Sequence, residues 1–192
     1  MDRKIITEAT ATDIVSLANM RNYLEFTAVD TTEDALITTL LKAAVRMCED
    51  FTGEAFGTKT VEVQVAHDEL DEDWRVDLPY YPFDEMSSVK SVDVESTETA
   101  LTLNTDYYLN GLEKKSIRFM TISTIVGAEK FKGWYKVRYS AGYNGTNTEP
   151  IPELYKFAIM EQVKRWYERE FTGKLDKEIV IMLQQTARNV MI

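Results

Sequence analysis

The sequence TTEDALITTLLKAAVRMCEDFTG, residues 31–53, decides the fold of this chain. The hydroxyl and acidic residues at its start suit a helix N-terminus, and Gly53 suits a helix end. Between them, apolar residues recur at three- and four-residue spacing, which is the pattern of an amphipathic helix. We predict a helix of about 20 residues, or ~30 Å, packed against a core. The predicted buried face consists of Leu36, Leu40, Ala43, Met47 and Phe51, widened by Ile37, Leu41 and Ala44.

Further helical patterns lie on both sides of this stretch. Residues 16–24 predict a short helix, in which Ser16 occupies the N-cap position. After residue 143, Pro152 suits the first turn of a long helix that ends near Gly173. Residues 176–192 repeat apolar side chains at helical spacing and predict a last helix.

Between residues 58 and 143 the apolar period changes to two, the mark of half-buried strands. Residues 61–65 and 135–139 alternate most regularly, and turn-like residues separate the shorter candidates. These shorter candidates are Arg75–Leu78, Val89–Val94, Asp106–Leu109 and Ser116–Met120. We therefore predict an antiparallel β-rich insertion.

The predicted fold class is α+β, with a helical core and this β-rich insertion. Residues 16–192 form one domain, in which the helices come from residues 16–53 and 152–192 and the insertion from residues 58–143. Residues 1–15 form an N-terminal arm that is either loose or an added edge strand.

The formal net charge of −10 argues against a protein that binds nucleic acid by neutralising its phosphates. Residues 68–106 contain 12 acids and two bases, whereas residues 113–138 contain seven bases and two acids. Two interpretations stay open. The two stretches face each other within one subunit, or they form opposite patches that favour a head-to-tail contact between subunits, which can close into a ring.

No motif in the sequence predicts catalysis. His67 is the only histidine and precedes an acidic run, but one histidine cannot supply the usual multi-histidine metal site, and the run lacks calcium-loop spacing. A solvated loop is the preferred interpretation. Nucleophile elbows, phosphate-binding glycine loops and paired cysteines are absent from the sequence. We therefore expect no catalytic residue, no metal and no cofactor, and we expect Cys48 to be a buried apolar residue. The longest aliphatic run, residues 179–183, is too short to span a membrane, so we expect no membrane partner.

An ordered set of motifs resembles one family, the head-to-tail connector or adaptor proteins of long-tailed phages and prophages. These motifs are a Ser-Leu helix start at residues 16–24, DALI to EDFTG at residues 34–53, and LPYYP at residues 78–82 before the valine-rich residues 89–94. Asp106-Tyr107, YSAGY at residues 139–143, Ile151-Pro152 and WYERE at residues 166–170 complete the set. The resemblance covers roughly residues 16–192.

The resemblance implies a structural, non-enzymatic subunit of the virion neck, assembled in the host cytoplasm. Such adaptors form a ring of about a dozen subunits beneath the portal protein, extend the DNA channel and offer a surface to the next connector or to the tail. DNA would pass through the lumen without sequence-specific binding, since carboxylates repel phosphates.

Three groups of residues are candidates for these contacts. The C-terminal segment would face the portal, through Leu183, Arg188, Val190 and Met191. The acidic candidates for the channel or a subunit interface are Asp68, Glu69, Asp71, Glu72 and Asp73. The complementary basic candidates are Lys114, Lys115, Lys130 and Lys132.

Two other functions stay open from the sequence. A small acidic hydrolase with a carboxylate pair in the β region is compatible with 32 acidic residues. Another neck or tail-completion protein is the second alternative.

Overall fold

The computed structural model describes residues 1–26, 31–111, 115–120, 133–168 and 173–190, the last four of these by their backbone. The chain divides into two compact units. The β-rich unit comprises Met1–Glu8 and Thr58–Thr148, and the helical unit comprises Ala9–Gly57 and Glu149–Ile192. The predicted α+β class is confirmed.

The β-rich unit holds two antiparallel sheets. The five-stranded sheet has the order β1-β2-β8-β4-β5, and the three-stranded sheet has the order β3-β7-β6. The strands are β1 (Asp2–Glu8), β2 (Lys59–Ala66), β3 (Arg75–Asp77), β4 (Phe83–Val92), β5 (Glu98–Ala100), β6 (Tyr107–Asn110), β7 (Ser116–Phe119) and β8 (Trp134–Ala141).

The core of this unit follows from the predicted alternation. Val63 lies opposite Val137, and Val65 lies opposite Tyr135, so the apolar positions of β2 and β8 share one buried face. The three-stranded sheet adds apolar residues to the same core, and the rings of Phe119 and Tyr135 stack with centroids 3.9 Å apart. Alternate residues of β2 and β8 are therefore buried on one face of the sheet, as the two-residue period predicts.

The strands differ from the prediction at three places. Asp2–Glu8 pairs with β2, so these residues of the N-terminal arm are an edge strand, the second of the two alternatives. β4 begins at Phe83, earlier than predicted, because register shifts between Phe83 and Ser88 break the two-residue alternation. The three-residue strand β5 was not predicted, since all its side chains are exposed and carry no apolar period.

The helical unit contains five helices among the described residues. They are α1 (Ala11–Ile14), α2 (Leu17–Tyr23), α3 (Asp34–Thr52), α4 (Glu153–Glu168) and α5 (Lys177–Val190). The predicted cap at Ser16 and the predicted helix end at Gly53 are confirmed: Ser16 Oγ accepts a hydrogen bond from the Asn19 amide at 3.1 Å, and Gly53 ends α3 at a φ of 75°. Of these five helices, only the single-turn α1 lies in the predicted N-terminal arm, where it follows β1.

The buried face of α3 is rotated from the predicted one. The residues that the chain buries are Ile37, Leu40, Leu41, Ala44, Val45, Cys48 and Glu49. Leu36 and Phe51, which we expected in the core, keep 46% and 42% of their surface exposed. Apolar side chains occupy a wider arc of α3 than the arc that packs against the rest of the chain. The apolar period alone does not tell which part of that arc is buried.

The core of the helical unit is aromatic near the end of α3. Phe56 and Tyr155 stack with ring centroids 4.6 Å apart, and both are fully buried. The Tyr155 hydroxyl donates a hydrogen bond to Glu54 at 3.0 Å, and Glu49 accepts one from the Phe56 amide at 2.8 Å. These buried polar groups near the end of α3 are therefore hydrogen-bonded, as the low dielectric of a core favours. In the described part of the chain, we find no helix whose length and apolar character would let it cross a membrane.

Candidate functional site

The acidic candidates lie together in one exposed loop, residues 67–74, which we call the acidic loop. Two of its acids shape it. Asp71 Oδ1 accepts hydrogen bonds from the amides of Asp73 at 3.0 Å and Arg75 at 2.7 Å. Glu69 accepts from the Met1 ammonium group at 2.5 Å and from the Ala66 amide at 2.9 Å. These hydrogen bonds lower the pKa of Glu69, which keeps its carboxylate charged.

The remaining acids of the loop point their charge outward. Asp68 and Glu72 are exposed and make no hydrogen bond or ion pair within the described part of the chain. Asp73 makes only a long, exposed contact with Arg118, at 3.6 Å. The acidic loop therefore offers net negative charge to whatever lies opposite it.

A shallow pocket of about 260 Å³ opens in this loop. It is lined by His67, Asp68, Leu70, Asp71, Glu72 and Trp74. The His67 and Trp74 rings lie 4.7 Å apart, and burial lowers the pKa of His67 more than the neighbouring Asp68 raises it. The imidazole is therefore neutral near pH 7. Among the described residues, no group of three or more histidine, cysteine, aspartate or glutamate side chains is placed to hold a metal ion.

Further along the sequence, the acidic and basic stretches pair with each other. Glu98 lies between Lys90, at 2.7 Å, and Lys136, at 2.5 Å, and their hydrogen bonds lower the pKa of Glu98 to about 2. Partial burial raises the pKa of Glu62, but the hydrogen bonds from Arg138 and Gln64 outweigh it, and the net direction is down. For Glu98–Lys136 and Asp73–Arg118, the first interpretation of the charge pattern is the observed one: the two stretches face each other in one subunit.

Of the four basic candidates, only Lys115 lies in the described residues. Its ammonium group donates to the Gly111 carbonyl and lies 6.0 Å from the centre of the Phe83 ring. Lys114, Lys130 and Lys132 lie outside the described residues. The prediction that these four form a complementary patch stays a prediction.

The portal-facing candidates fall on α5 and beyond it. Leu183 is fully buried in the helical unit, where it joins Ile179 in holding α5. Arg188 and Val190 belong to the described backbone of α5, whereas their side chains and all of Met191 lie outside the described residues. Ile181, on the other side of α5 from Leu183, is exposed and is absent from the predicted set. The helical period was the signal that could have found it, because two residues correspond to about 200° of rotation and place Ile181 opposite the buried Leu183.

Nothing in the sequence indicated a buried charged pair in the β-rich unit. Lys59 is 1% exposed, and its ammonium group makes an ion pair with Glu8 of β1. The Tyr80 ring lies 5.4 Å from the same ammonium group. An isolated lysine at the start of a strand gives no sequence signal for burial, because lysine is almost always exposed.

The prediction that Cys48 is a buried apolar residue is confirmed. Cys48 is buried on α3, and burial raises the pKa of its thiol to about 12. A thiol with that pKa carries almost no thiolate at neutral pH, so Cys48 packs as an apolar residue.

Comparison with known proteins gives a family and a fold. No curated protein matches the chain. One solved structure with a similar fold is a chain from the neck of an empty gene transfer agent (GTA) particle, computed with C6 symmetry. It is 18% identical, with a TM-score of 0.75 over 97% of this chain and 95% of that one.

Two further solved structures share the fold. A chain of the virion of the native GTA particle is 17% identical, with a TM-score of 0.73 over 96% of this chain and 94% of that one. A chain from the neck of the native GTA particle, computed with C12 symmetry, is 19% identical, with a TM-score of 0.69 over 97% and 94%. The family model for head completion protein matches residues 13–176. This match confirms the predicted resemblance, and the chain belongs to the head completion protein family.

Proposed function

We propose that the chain is a structural subunit of a tailed-phage neck, where it forms a ring beneath the portal protein. The ring would extend the DNA channel and offer a surface to the next connector or to the tail. The observation that carries the proposal is the family match over residues 13–176. The similarity of the fold to neck chains computed with C6 and C12 symmetry supports a cyclic assembly.

Physical features of the β-rich unit fit a passage for DNA. Asp68 and Glu72 present unneutralised carboxylates, and Asp73 makes only a long contact with Arg118, so a wall that includes the acidic loop would repel phosphates. Glu62 and Glu98 are already neutralised by bases of the same subunit and add little to that repulsion. We therefore assign the lumen to the acidic loop, with no sequence-specific contact to DNA.

We assign the portal contact to the C-terminal end of α5. Leu183 and Ile179 anchor the helix in its own subunit, which leaves its last turn and the residues after it to reach a partner. In this role the protein needs no catalytic residue and no cofactor. Arg188 would supply the charged contact, and Val190 and Met191 the apolar ones.

The proposal is tested by mixing the purified chain with the portal protein of the same particle. Mass photometry and negative-stain imaging should show closed rings of the chain seated on one end of the portal. A chain that stays monomeric both alone and with portal would contradict the proposal.

The same assay tests the two assigned surfaces. Truncation after Thr186 removes only the last four residues of α5 and the two residues after it, so it should lower the helical content by no more than those four residues and should abolish binding to the portal. The double variant Asp68→Lys, Glu72→Lys should form rings that retain DNA at low salt, whereas the parent rings should not. A truncated chain that still binds the portal, or charge-reversed rings that ignore DNA, would remove the corresponding assignment.

A further inference from the structure

One arginine of α4, Arg165, joins that helix to the start of α5. Its Nε donates a hydrogen bond to Glu161, one turn earlier on α4, at 3.0 Å. Its Nη1 lies 3.5 Å from Asp176, the residue before α5, and its Nη2 donates to Glu178 in the first turn of α5. Because the guanidinium is planar and its N–H groups have fixed directions, these contacts restrict the orientation of α5 on α4 as well as the distance between the helices.

The residue that precedes α5 is held at a second point. Gln162 of α4 is fully buried, and its Oε1 accepts a hydrogen bond from the Asp176 amide at 3.0 Å. The Asp176 carbonyl accepts the hydrogen bond that opens α5, from the Val180 amide, at 3.0 Å. Asp176 is thus tied to α4 through both its backbone and its side chain, so its position determines where α5 begins.

The rest of α5 is held by a narrow contact. Among its described side chains, those of Ile179, Leu183 and Thr186 are buried, and Ile181 on the opposite side is 53% exposed. Apolar burial is not directional, so a single row of buried residues lets a helix tilt about that row. The helix has 14 residues and is therefore about 21 Å long, so a tilt of about 10° moves its far end by ~4 Å. The polar contacts of Arg165 limit that tilt.

We propose that Arg165 is a positioning residue for the portal contact. It holds the start of α5 on α4 and so sets the direction in which the C-terminal end of the chain meets the portal protein. The inference rests on the proposed function, which assigns the portal contact to that end. Arg165 acts through α5 and not by touching the portal. If α5 took the bound direction in only about a tenth of the molecules, the apparent affinity would fall about tenfold.

The direction of α5 is measured by double electron–electron resonance between spin labels at two exposed positions, Leu154→Cys on α4 and Gln184→Cys on α5. Cys48 is buried and does not compete for the label. The parent should give one narrow distance distribution. Arg165→Met keeps an apolar stem, removes the guanidinium and should broaden the distribution. Lys164→Met is the matched control, because the ion pair it removes lies within α4, and its distribution should stay narrow. An equally narrow distribution in Arg165→Met would overturn the inference.

Affinity for the portal protein tests whether this direction matters for binding. Arg165→Met should bind the portal about tenfold more weakly than the parent, with unchanged circular dichroism, and Lys164→Met should bind as the parent does. The double variant Arg165→Glu, Glu178→Arg should restore the affinity to within about threefold, because it re-forms an ion pair between the same two helices. If Arg165→Met lowered the free energy of unfolding but left the portal affinity of the folded chain unchanged, the role would be stability alone and the inference would be overturned.

Two further results separate the inference from folding defects and from the proposed function. If Arg165→Met does not fold, Glu178→Gln takes its place, since the Glu178 side chain is 65% exposed; it should change both readouts in the same direction, and two unchanged readouts would overturn the inference. If truncation after Thr186 abolishes portal binding while Arg165→Met binds as the parent does, the inference fails and the proposed function stands. A parent chain that does not bind the portal contradicts the proposed function, and the inference fails with it.

Discussion

The helical unit and the β-rich unit present different chemistry to their surroundings. The helical unit leaves large apolar side chains exposed on α3 and α4, while its described polar contacts at Glu49 and Glu54 are buried. The five-stranded sheet of the β-rich unit exposes charges that its own bases neutralise, whereas Asp68 and Glu72 of its acidic loop make no hydrogen bond or ion pair among the described residues. Both units expose some apolar side chains, such as Phe157 and Val94. The comparison teaches that the units differ in which surface charges are neutralised, and that neighbouring strands decide it.

The largest expected effect separates the two faces of α3. Leu41 is fully buried, so Leu41→Ala should lower the free energy of unfolding by about 2–5 kcal/mol through lost contacts and a cavity. Leu36→Ala, at an exposed position of the same helix, should lower the free energy of unfolding by less than about 1 kcal/mol. Urea unfolding followed by helical circular dichroism measures both. If the two variants lost equal free energy of unfolding, Leu36 would be packed in the core as Leu41 is, and α3 would not have an exposed face.

The next effect concerns the buried base of the β-rich unit. Glu8→Gln removes the carboxylate that pairs with Lys59 and leaves a buried ammonium group without that counter-charge. Loss of one partner of a buried pair costs about 3–5 kcal/mol, and since Glu8 is partly exposed we expect about 1–2 kcal/mol here. Asp2→Asn, on the same strand, is the control and should change unfolding by less than about 0.5 kcal/mol. Denaturant titration should rank the two variants in that order; the reverse order would contradict the role given to Glu8.

A smaller effect depends on pH. The folded protein lowers the pKa of Glu98 to about 2 from an ordinary value of 4.5, so its charged form is favoured by folding. The stabilisation is therefore complete above about pH 4.5 and is lost as the pH falls toward 2. The stability difference between the parent and Glu98→Gln should shrink over that range and also in high salt, because the site is exposed. Thermal unfolding from pH 2 to pH 7 measures it, with Glu95→Gln as control; a difference that does not vary with pH would show that the two lysines do not act on Glu98.

The smallest effect on stability belongs to the acidic loop. Asp68→Asn and Glu72→Gln remove charges that have no partner among the described residues, so each should change the free energy of unfolding by less than about 0.5 kcal/mol. The same variants reduce the repulsion of phosphates, so rings that carry them should associate more strongly with DNA at low salt. A loss of stability comparable to that of Glu8→Gln would place these acids in the folding of the unit instead of on its outward surface.

Much of the fold follows from the sequence, because the apolar period and the helix-capping residues depend only on positions close together in the chain. Ser16 and Gly53 cap helices as predicted, and the alternation along β2 and β8 gives their buried face. The edge strand β1 and the three-residue β5 depend on pairing with distant strands, which leaves no apolar period. The choice of buried face on α3 depends on which neighbour covers it, so Leu36 and Phe51 were placed in the core wrongly.

The sequence predicted the candidate site only as a local excess of acidic residues. Counting charges located the acidic loop and the stretch that contains Glu98, but it did not tell which acids meet a base. Glu98 of β5 lies beside Lys136 of β8 because both strands flank β4 in the sheet, which brings together residues 38 positions apart in the sequence. Asp68 and Glu72 lie in the acidic loop, where the bases of the neighbouring strands, Arg75 and Arg118, pair with other acids, Asp77 and Asp73. The division between neutralised and unneutralised acids is therefore a property of the topology.

The central claim, a ring subunit of the neck, is tested most directly by a cryo-electron microscopy reconstruction of particles that contain this chain. The account predicts that the chain fits a closed ring beneath the portal, with the acidic loop toward the channel. Density for the chain elsewhere in the particle, or in a position without rotational symmetry, would contradict it.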